Sequence, residues 1–161
     1  MRFAALVALA VWVGGLLVLG GIAAPATFDV TAARGVADNR QVAGAIFGEA
    51  LRRFHLLSYG CGLFIFVSLV ARAVLGPRPV RLAARLLLVI VLLVAAGYSG
   101  LVLTGQIETL RAEIGVAPSS LPETDPRRAT FGRLHTMSTA LLLVPALGGL
   151  VLMFFELKDS R

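Results

Sequence analysis

Four long apolar tracts dominate this sequence, and short zones between them hold nearly all of its charges. The tracts cover about residues 3–24, 54–75, 82–104 and 134–155. A helix needs about 20 apolar residues to cross about 30 Å of hydrocarbon, and each tract supplies that length. Charged residues make up only 15% of the 161 residues, whereas a soluble domain carries about a quarter. These features predict an all-α integral membrane protein, a four-helix bundle in one domain spanning residues 1–161.

Prolines set the predicted limits of the helices. Pro25 is predicted to end the first helix, and the breaker Gly76–Pro79 the second. Pro126 suits the start of the last helix, with Thr124 or Asp125 as its cap. Long connections are therefore predicted at about residues 25–53 and 105–133. The first tract also resembles a signal peptide, but its length favours a retained helix.

The placement of arginine predicts the orientation. The region that joins the second and third tracts holds four arginines and no acid: Arg72, Arg78, Arg81 and Arg85. The positive-inside rule places this region and both termini in the cytoplasm, in a cytoplasmic-type (inner) membrane. The two long connections then lie on the outer side. Since the net charge of +6 lies beside apolar spans, it is read as a topology signal and no nucleic-acid partner is predicted.

The two histidines of the chain stand in similar phrases. His55 lies in RRFHLLS, residues 52–58, and His135 lies in GRLHTMS, residues 132–138. Under the predicted topology both fall at the outer ends of parallel helices, at nearly the same depth. The similar order of elements in each half also predicts two helical hairpins arranged as a parallel repeat.

This pairing raises the hypothesis of a b-type haem. A six-coordinate haem iron takes two imidazoles from facing helices, and His55 and His135 are the candidates. Arg52, Arg53 and Arg133 precede them and suit the haem propionates. Such a haem would serve electron transfer at the outer face.

Other uses of the histidines stay open. At the membrane boundary an imidazole can simply fix helix packing, and the arginines can anchor lipid headgroups. His55 and His135 are also candidate ligands for a metal ion, although a closed zinc site would need Glu49 or Asp125 as well. The sequence shows no phosphate loop and no G-x-S-x-G or H-E-x-x-H motif, so no enzyme is predicted. Acids occur only in connections and near the C-terminus, which argues against an intramembrane proton relay.

Four phrases carry a resemblance to a known family. They are W-x-G-G at Trp12–Gly15, P-x-x-F at Pro25–Phe28, AGAIFG at Ala43–Gly48 and D-x-x-R-x-x-F-x-x-L-H-x-x-S at Asp125–Ser138. Together they resemble the transmembrane protein 205-like family, a four-span membrane domain of unknown function. The resemblance implies the fold and no particular activity. The arrangement is more distantly similar to copper-resistance D-type proteins and to haem-containing protoporphyrinogen oxidases, which implies a role only for His55 and His135.

The sequence thus predicts a non-enzymatic subunit or accessory protein of a membrane assembly. A haem-b electron carrier and a metal or small-solute transporter remain as alternatives. The predicted partners are the lipid bilayer and either other membrane subunits or further copies of this chain. Small residues that suit close helix contacts occur in every tract: Gly14, Gly15, Gly20, Gly21, Gly60, Gly62, Ala96, Gly97, Gly100, Gly148 and Gly149.

Overall fold

The structure is a computed structural model that describes residues 1–76 and 78–158. It contains four helices that are long and apolar enough to cross a membrane: α1 (Arg2–Ala33), α2 (Asn39–Leu75), α3 (Leu82–Ile114) and α4 (Pro126–Lys158). A single 3-10 turn, Pro118–Ser120, lies between α3 and α4. No strand occurs within these described ranges, so the predicted all-α membrane bundle is confirmed.

The prediction that Pro25 ends the first helix is wrong, because α1 continues to Ala33. A π-helical turn, Leu19–Ala23, ends two positions before Pro25, and the N–H of Ala24 donates to the carbonyl of Leu19. A π turn already interrupts the regular i→i−4 ladder, so the missing N–H and the bulky ring of proline are tolerated beside it. Of the predicted breaker Gly76–Pro79, Pro77 lies outside the described residues.

The helices reach beyond the predicted spans mainly on one side. The predicted connection 25–53 is reduced to residues 34–38, and the predicted connection 105–133 to residues 115–125. Helices of 32 to 37 residues measure about 50–55 Å, which exceeds the roughly 30 Å hydrocarbon layer. Which part of each helix lies in the bilayer stays a prediction.

The helices alternate in direction, and each packs against two neighbours in a closed ring: α1 on α2, α2 on α3, α3 on α4 and α4 on α1. This arrangement gives the bundle two distinct ends. The end that holds the connections 34–38 and 115–125 is called the loop end. The end that holds Arg2, Lys158 and the connection 76–81 is called the termini end.

Only some of the small residues that were predicted to lie between helices have close contacts there. At Gly62, an added Cβ would lie 3.0 Å from Trp12, the largest side chain of the buried core. Similar contacts occur at Gly15, Gly100, Gly148 and Gly149. Five other glycines have no such neighbour within 4 Å: Gly14, Gly20, Gly21, Gly60 and Gly97. The outer faces of all four helices carry exposed aliphatic and aromatic residues, as expected for contact with lipid.

Candidate functional site

His55 lies inside the bundle, between α2 and α3. The residue is only 4% exposed, and its Nδ1 donates to the carbonyl of Leu51 at 2.8 Å. In the neutral ring, Nε2 is then the unprotonated nitrogen. It is buried and has no hydrogen-bond partner among the described residues.

The ring of His55 fills the space left by a glycine on the facing helix. A Cβ added at Gly100 would lie 2.6 Å from the Cδ2 atom of His55, and Tyr59 occupies the same gap. Gly100 belongs to a π-helical turn of α3, Tyr98–Leu103. The imidazole therefore packs directly against the backbone of α3.

His135 has a different environment, at the surface of α4. It is exposed, and its ring stacks on that of Phe131 with a centroid distance of 6.1 Å and an interplanar angle of 7°. The two similar phrases thus place one histidine in the interior and one at the surface. The parallel repeat stays a prediction.

The described residues do not fit a haem held by both histidines. Such a haem needs one imidazole on each face of the porphyrin, with the ring plane between them. The close contact of His55 with Gly100 leaves no space for a porphyrin at its ring, while His135 rests on Phe131 of its own helix. Haem binding stays a prediction without a formed site.

The arginines predicted to hold haem propionates are also placed differently. Arg52 and Arg53 both bind the carboxylate of Glu49, each through Nε at 2.7 Å, and Arg133 is exposed. Within residues 1–76 and 78–158, no three His, Cys, Asp or Glu side chains come close enough to hold a metal ion.

A cavity of about 690 Å³ opens at the loop end, and all four helices contribute to it. Its lining contains three arginines and one carboxylate, a formal charge of +2, together with aromatic rings. The residues that define it are Phe28 and Asp29 of α1, Arg40 of α2, Arg111 of α3, and Arg128, Phe131 and His135 of α4. This set is called the loop-end cavity.

Arg111 ties three helices together at this cavity. Its Nη1 donates to the carbonyl of Gly44 in α2 at 2.8 Å, and its guanidinium lies over the ring of Phe131 in α4, 5.4 Å from the centroid. A Cβ at Gly44 would lie 2.7 Å from Nη2 of Arg111, whereas a Cβ at Gly48 would lie 3.9 Å from Nη1. The absence of a side chain at Gly44 is thus what lets the guanidinium reach the backbone of α2.

A second, smaller cavity of about 80 Å³ also borders Arg111 and His135. Its polar lining includes Ser138 and Thr139 of α4 and Thr104 of α3. Sequence phrases that are far apart along the chain therefore meet around the two cavities of the loop end. Phe28 belongs to the P-x-x-F phrase, Gly44 to AGAIFG, and His135 to the long phrase of α4.

The termini end holds a second polar cluster that the sequence analysis missed. Glu156 of α4 is only 3% exposed and accepts Arg72 at 2.7 Å and Arg85 at 3.0 Å. Arg2 donates to the backbone carbonyl of Glu156 and lies 3.8 Å from its carboxylate. Each helix thus contributes one charged residue, and the acid is a buried member of the bundle instead of part of a polar tail.

Of the two clusters, only the one at the termini end has a signal in the sequence. Arg72 and Arg85 fall inside predicted apolar spans, where a charge marks a functional or paired position. As topology signals they predict only the orientation of the chain. Arg111 had no comparable signal, because it follows the third apolar tract among other polar residues.

The chain matches a known protein-family model. A family model described as a domain of unknown function (DUF4149) matches residues 7–115. No curated protein and no solved structure matches the chain.

Proposed function

This chain belongs to the family described as a domain of unknown function (DUF4149), and we propose that it is a non-enzymatic membrane protein that binds a small organic anion at its loop end. The ligand class is a carboxylate with an aromatic or apolar body. The proposal deepens the predicted role of an accessory protein, since it gives that role a ligand.

The observation that carries the proposal is the position of Arg111. Its side chain is partly buried, its guanidinium lies over the ring of Phe131, and it borders both cavities of the loop end. Within residues 1–76 and 78–158, one of its nitrogens forms a hydrogen bond, to the carbonyl of Gly44. A planar guanidinium has five N–H donors, so donors remain for a carboxylate.

The surroundings of Arg111 favour the same ligand class. Arg40 adds positive charge near Asp29, and Arg128 adds a guanidinium that is partly neutralised by Glu123 at 3.5 Å. Phe28 and Phe131 line the cavity and give it apolar surface that suits an aromatic or apolar body. Small-molecule sites commonly combine such an apolar lining with a few convergent polar groups.

The proposal also covers the orientation of the chain in its membrane. We place the chain in a cytoplasmic-type inner membrane with both termini in the cytoplasm, so that the loop-end cavity opens on the outer side. The arginines of the connection 76–81 and its flanks support this orientation. Association with other membrane subunits, the resemblance to the transmembrane protein 205-like family, and metal or solute transport all stay predictions.

The test compares two probes of nearly the same shape. Naphthalene-1-carboxylate and its neutral carboxamide are titrated into the detergent-purified full chain by calorimetry, with a detergent blank. We expect the carboxylate to bind at least about tenfold more tightly, because charge-assisted hydrogen bonds to arginine are stronger than neutral ones. Equal affinities would contradict an anion site.

A matched pair of glycine variants and one arginine variant test where the carboxylate binds. Gly44→Ala should weaken binding of the carboxylate, because the new Cβ displaces Arg111, while Gly48→Ala should leave it unchanged. Arg111→Gln should remove the preference for the carboxylate over the carboxamide. If the preference persists in Arg111→Gln, the loop-end site is not where the anion binds.

A further inference from the structure

The described lining of the loop-end cavity includes one carboxylate, that of Asp29 in α1. Phe28 and Ala32 belong to the same wall, and their spacing from Asp29 places all three on one face of the helix. The continuation of α1 beyond Pro25 is what brings this face to the cavity. A residue that the sequence predicts in a connection is therefore part of the wall of the site.

The carboxylate of Asp29 lacks a partner in the described part of the chain. It forms no ion pair and no hydrogen bond there, although three arginines line the same cavity. Arg111 is held by its bond to the carbonyl of Gly44 at 2.8 Å. Arg128 is held by its bond to the carbonyl of Leu121, also at 2.8 Å. Negative and positive charges therefore stay apart in this cavity.

Asp29 and Arg111 belong to helices that lie diagonally opposite each other. Since α1 and α3 both pack between α2 and α4, they face each other across the ring. Neighbouring helix axes are about 8–10 Å apart, so the axes of a diagonal pair are roughly 11–14 Å apart. Opposite charges thus occupy opposite walls of a cavity of about 690 Å³, which leaves room for a ligand between them.

This arrangement fits a ligand that carries both charges. A ligand with a carboxylate alone would pair with Arg111 and be repelled by the carboxylate of Asp29. An ammonium group on the same ligand changes that repulsion into an attraction and adds a charge-assisted hydrogen bond. The two polar ends would then fix the orientation of the ligand, while Phe28 and Phe131 contact its body.

We propose that the ligand of the loop-end cavity is a zwitterion, an aromatic amino acid whose carboxylate binds Arg111 and whose ammonium group binds Asp29. This inference rests on the anion site proposed above and defines its ligand class more closely. Asp29 is then the residue that selects amino acids over simple carboxylates. A free aromatic amino acid is the simplest compound that combines a carboxylate, an ammonium group and a ring.

The experiment compares two probes with the same phenyl body. L-Phenylalanine carries both charges, whereas 3-phenylpropanoate lacks the ammonium group. Each is titrated by calorimetry into the detergent-purified full chain at neutral pH, with a detergent blank. We expect L-phenylalanine to bind about threefold to tenfold more tightly, the gain for one partly exposed charge-assisted hydrogen bond. Equal or tighter binding of 3-phenylpropanoate overturns the proposal.

A matched pair of variants tests the role of Asp29. Asp29→Asn and Asp38→Asn each remove an exposed carboxylate at the loop end, but Asp38 borders neither of the two cavities there. Asp29→Asn should abolish the preference for L-phenylalanine and bind 3-phenylpropanoate as well as before or better, because a repulsion is lost. Asp38→Asn should keep the preference. A preference that persists in Asp29→Asn, or an equal loss of both probes in that variant, contradicts the proposal.

Failure of this proposal is distinguishable from failure of the anion site. Naphthalene-1-carboxylate has no ammonium group, so its preference over the carboxamide tests the contact with Arg111 alone. If that preference holds while L-phenylalanine gains nothing over 3-phenylpropanoate, the anion site stands and its ligand is a simple carboxylate. If naphthalene-1-carboxylate and its carboxamide bind equally, the anion site fails and the zwitterion site fails with it.

Discussion

Arg85 and Glu156 join α3 to α4 through a buried ion pair, with Nη1 3.0 Å from Oε1 and side chains that are 2% and 4% exposed. Arg85 also donates to the carbonyl of Phe155 at 3.1 Å. A buried pair of this kind adds little net stability over apolar residues, but removal of one partner leaves the other charge uncompensated. The pair therefore ties the position of the last turn of α4 to that of α3.

Glu156→Gln should destabilise the bundle strongly. The substitution removes the negative charge that Arg2, Arg72 and Arg85 contact, and the loss of one partner from a buried ion pair costs about 3–5 kcal/mol. We expect a clearly lower melting temperature of the purified protein. Glu113→Gln, at an exposed acid of α3, is the control and should change stability by no more than about 0.5 kcal/mol. Equal melting temperatures for the two variants would show that the cluster is not needed for the fold.

Gly100→Ala should destabilise the contact between α2 and α3. The new Cβ would lie 2.6 and 2.8 Å from Cδ2 and Cγ of His55, and closer still to the hydroxyl of Tyr59. Overpacking of this kind costs about 1–3 kcal/mol. Gly97→Ala, three residues earlier on the same helix, meets no atom within 4 Å and should be neutral or stabilising by about 0.5–1 kcal/mol. Thermal unfolding of the two variants checks the difference, and a similar loss in both would refute the packing role of Gly100.

The absorption spectrum tests the haem hypothesis directly. We expect the protein, purified from cells supplied with haem, to show no Soret band, because His55 packs on Gly100 and His135 is exposed. His55→Ala should lower stability through the loss of a buried side chain, whereas His135→Ala should leave it unchanged. A Soret band that disappears in both variants would restore the bis-histidine site.

Asp125 should cap α4 in a pH-dependent way. Its Oδ1 accepts the backbone N–H of Arg127 at 2.9 Å, and the hydrogen bonds from Arg127 hold the pKa of the carboxyl below its usual value. A lowered pKa means that the cap stabilises the folded state fully above the usual carboxyl pKa and is lost as the pH falls through the lowered value. The protection factor of the Arg127 amide, which is the intrinsic exchange rate at a given pH divided by the observed rate, should therefore be high at neutral pH and fall in acid.

Substitutions at the same position provide the control for this cap. Asp125→Ala should speed exchange of the Arg127 amide several-fold at neutral pH, whereas Asp125→Asn, which can still accept the bond, should retain protection and lose the pH dependence. Unchanged exchange in Asp125→Ala would show that the hydrogen bond to Arg127 contributes nothing in solution.

Local properties of the sequence were enough to predict the helices. The hydropathy of each apolar tract is enough to predict that the tract forms a helix in hydrocarbon. Asp125 followed by Pro126 predicts the start of α4, and the structure has it at that position. The same reasoning failed at Pro25, because the effect of a proline depends on the geometry of the turn before it, here a π turn.

The positions of the two histidines in the bundle could be known only from the tertiary structure. Their phrases are nearly alike, and nothing in RRFHLLS or GRLHTMS says that His55 would meet Gly100 while His135 would meet Phe131 of its own helix. The rotation of a helix about its axis is set by packing against its neighbours, not by its own hydropathy. A similarity between two short phrases therefore could not establish a shared site.

By itself, the sequence determined that the chain would form apolar helices, because the transfer of a segment into hydrocarbon depends on that segment alone. Only the tertiary structure decided which charges meet. Arg2, Arg72, Arg85 and Glu156 are scattered along the chain, and they converge because four alternating helices bring their ends to one side. Buried charges require partners, and a partner on another helix is fixed only when the bundle closes.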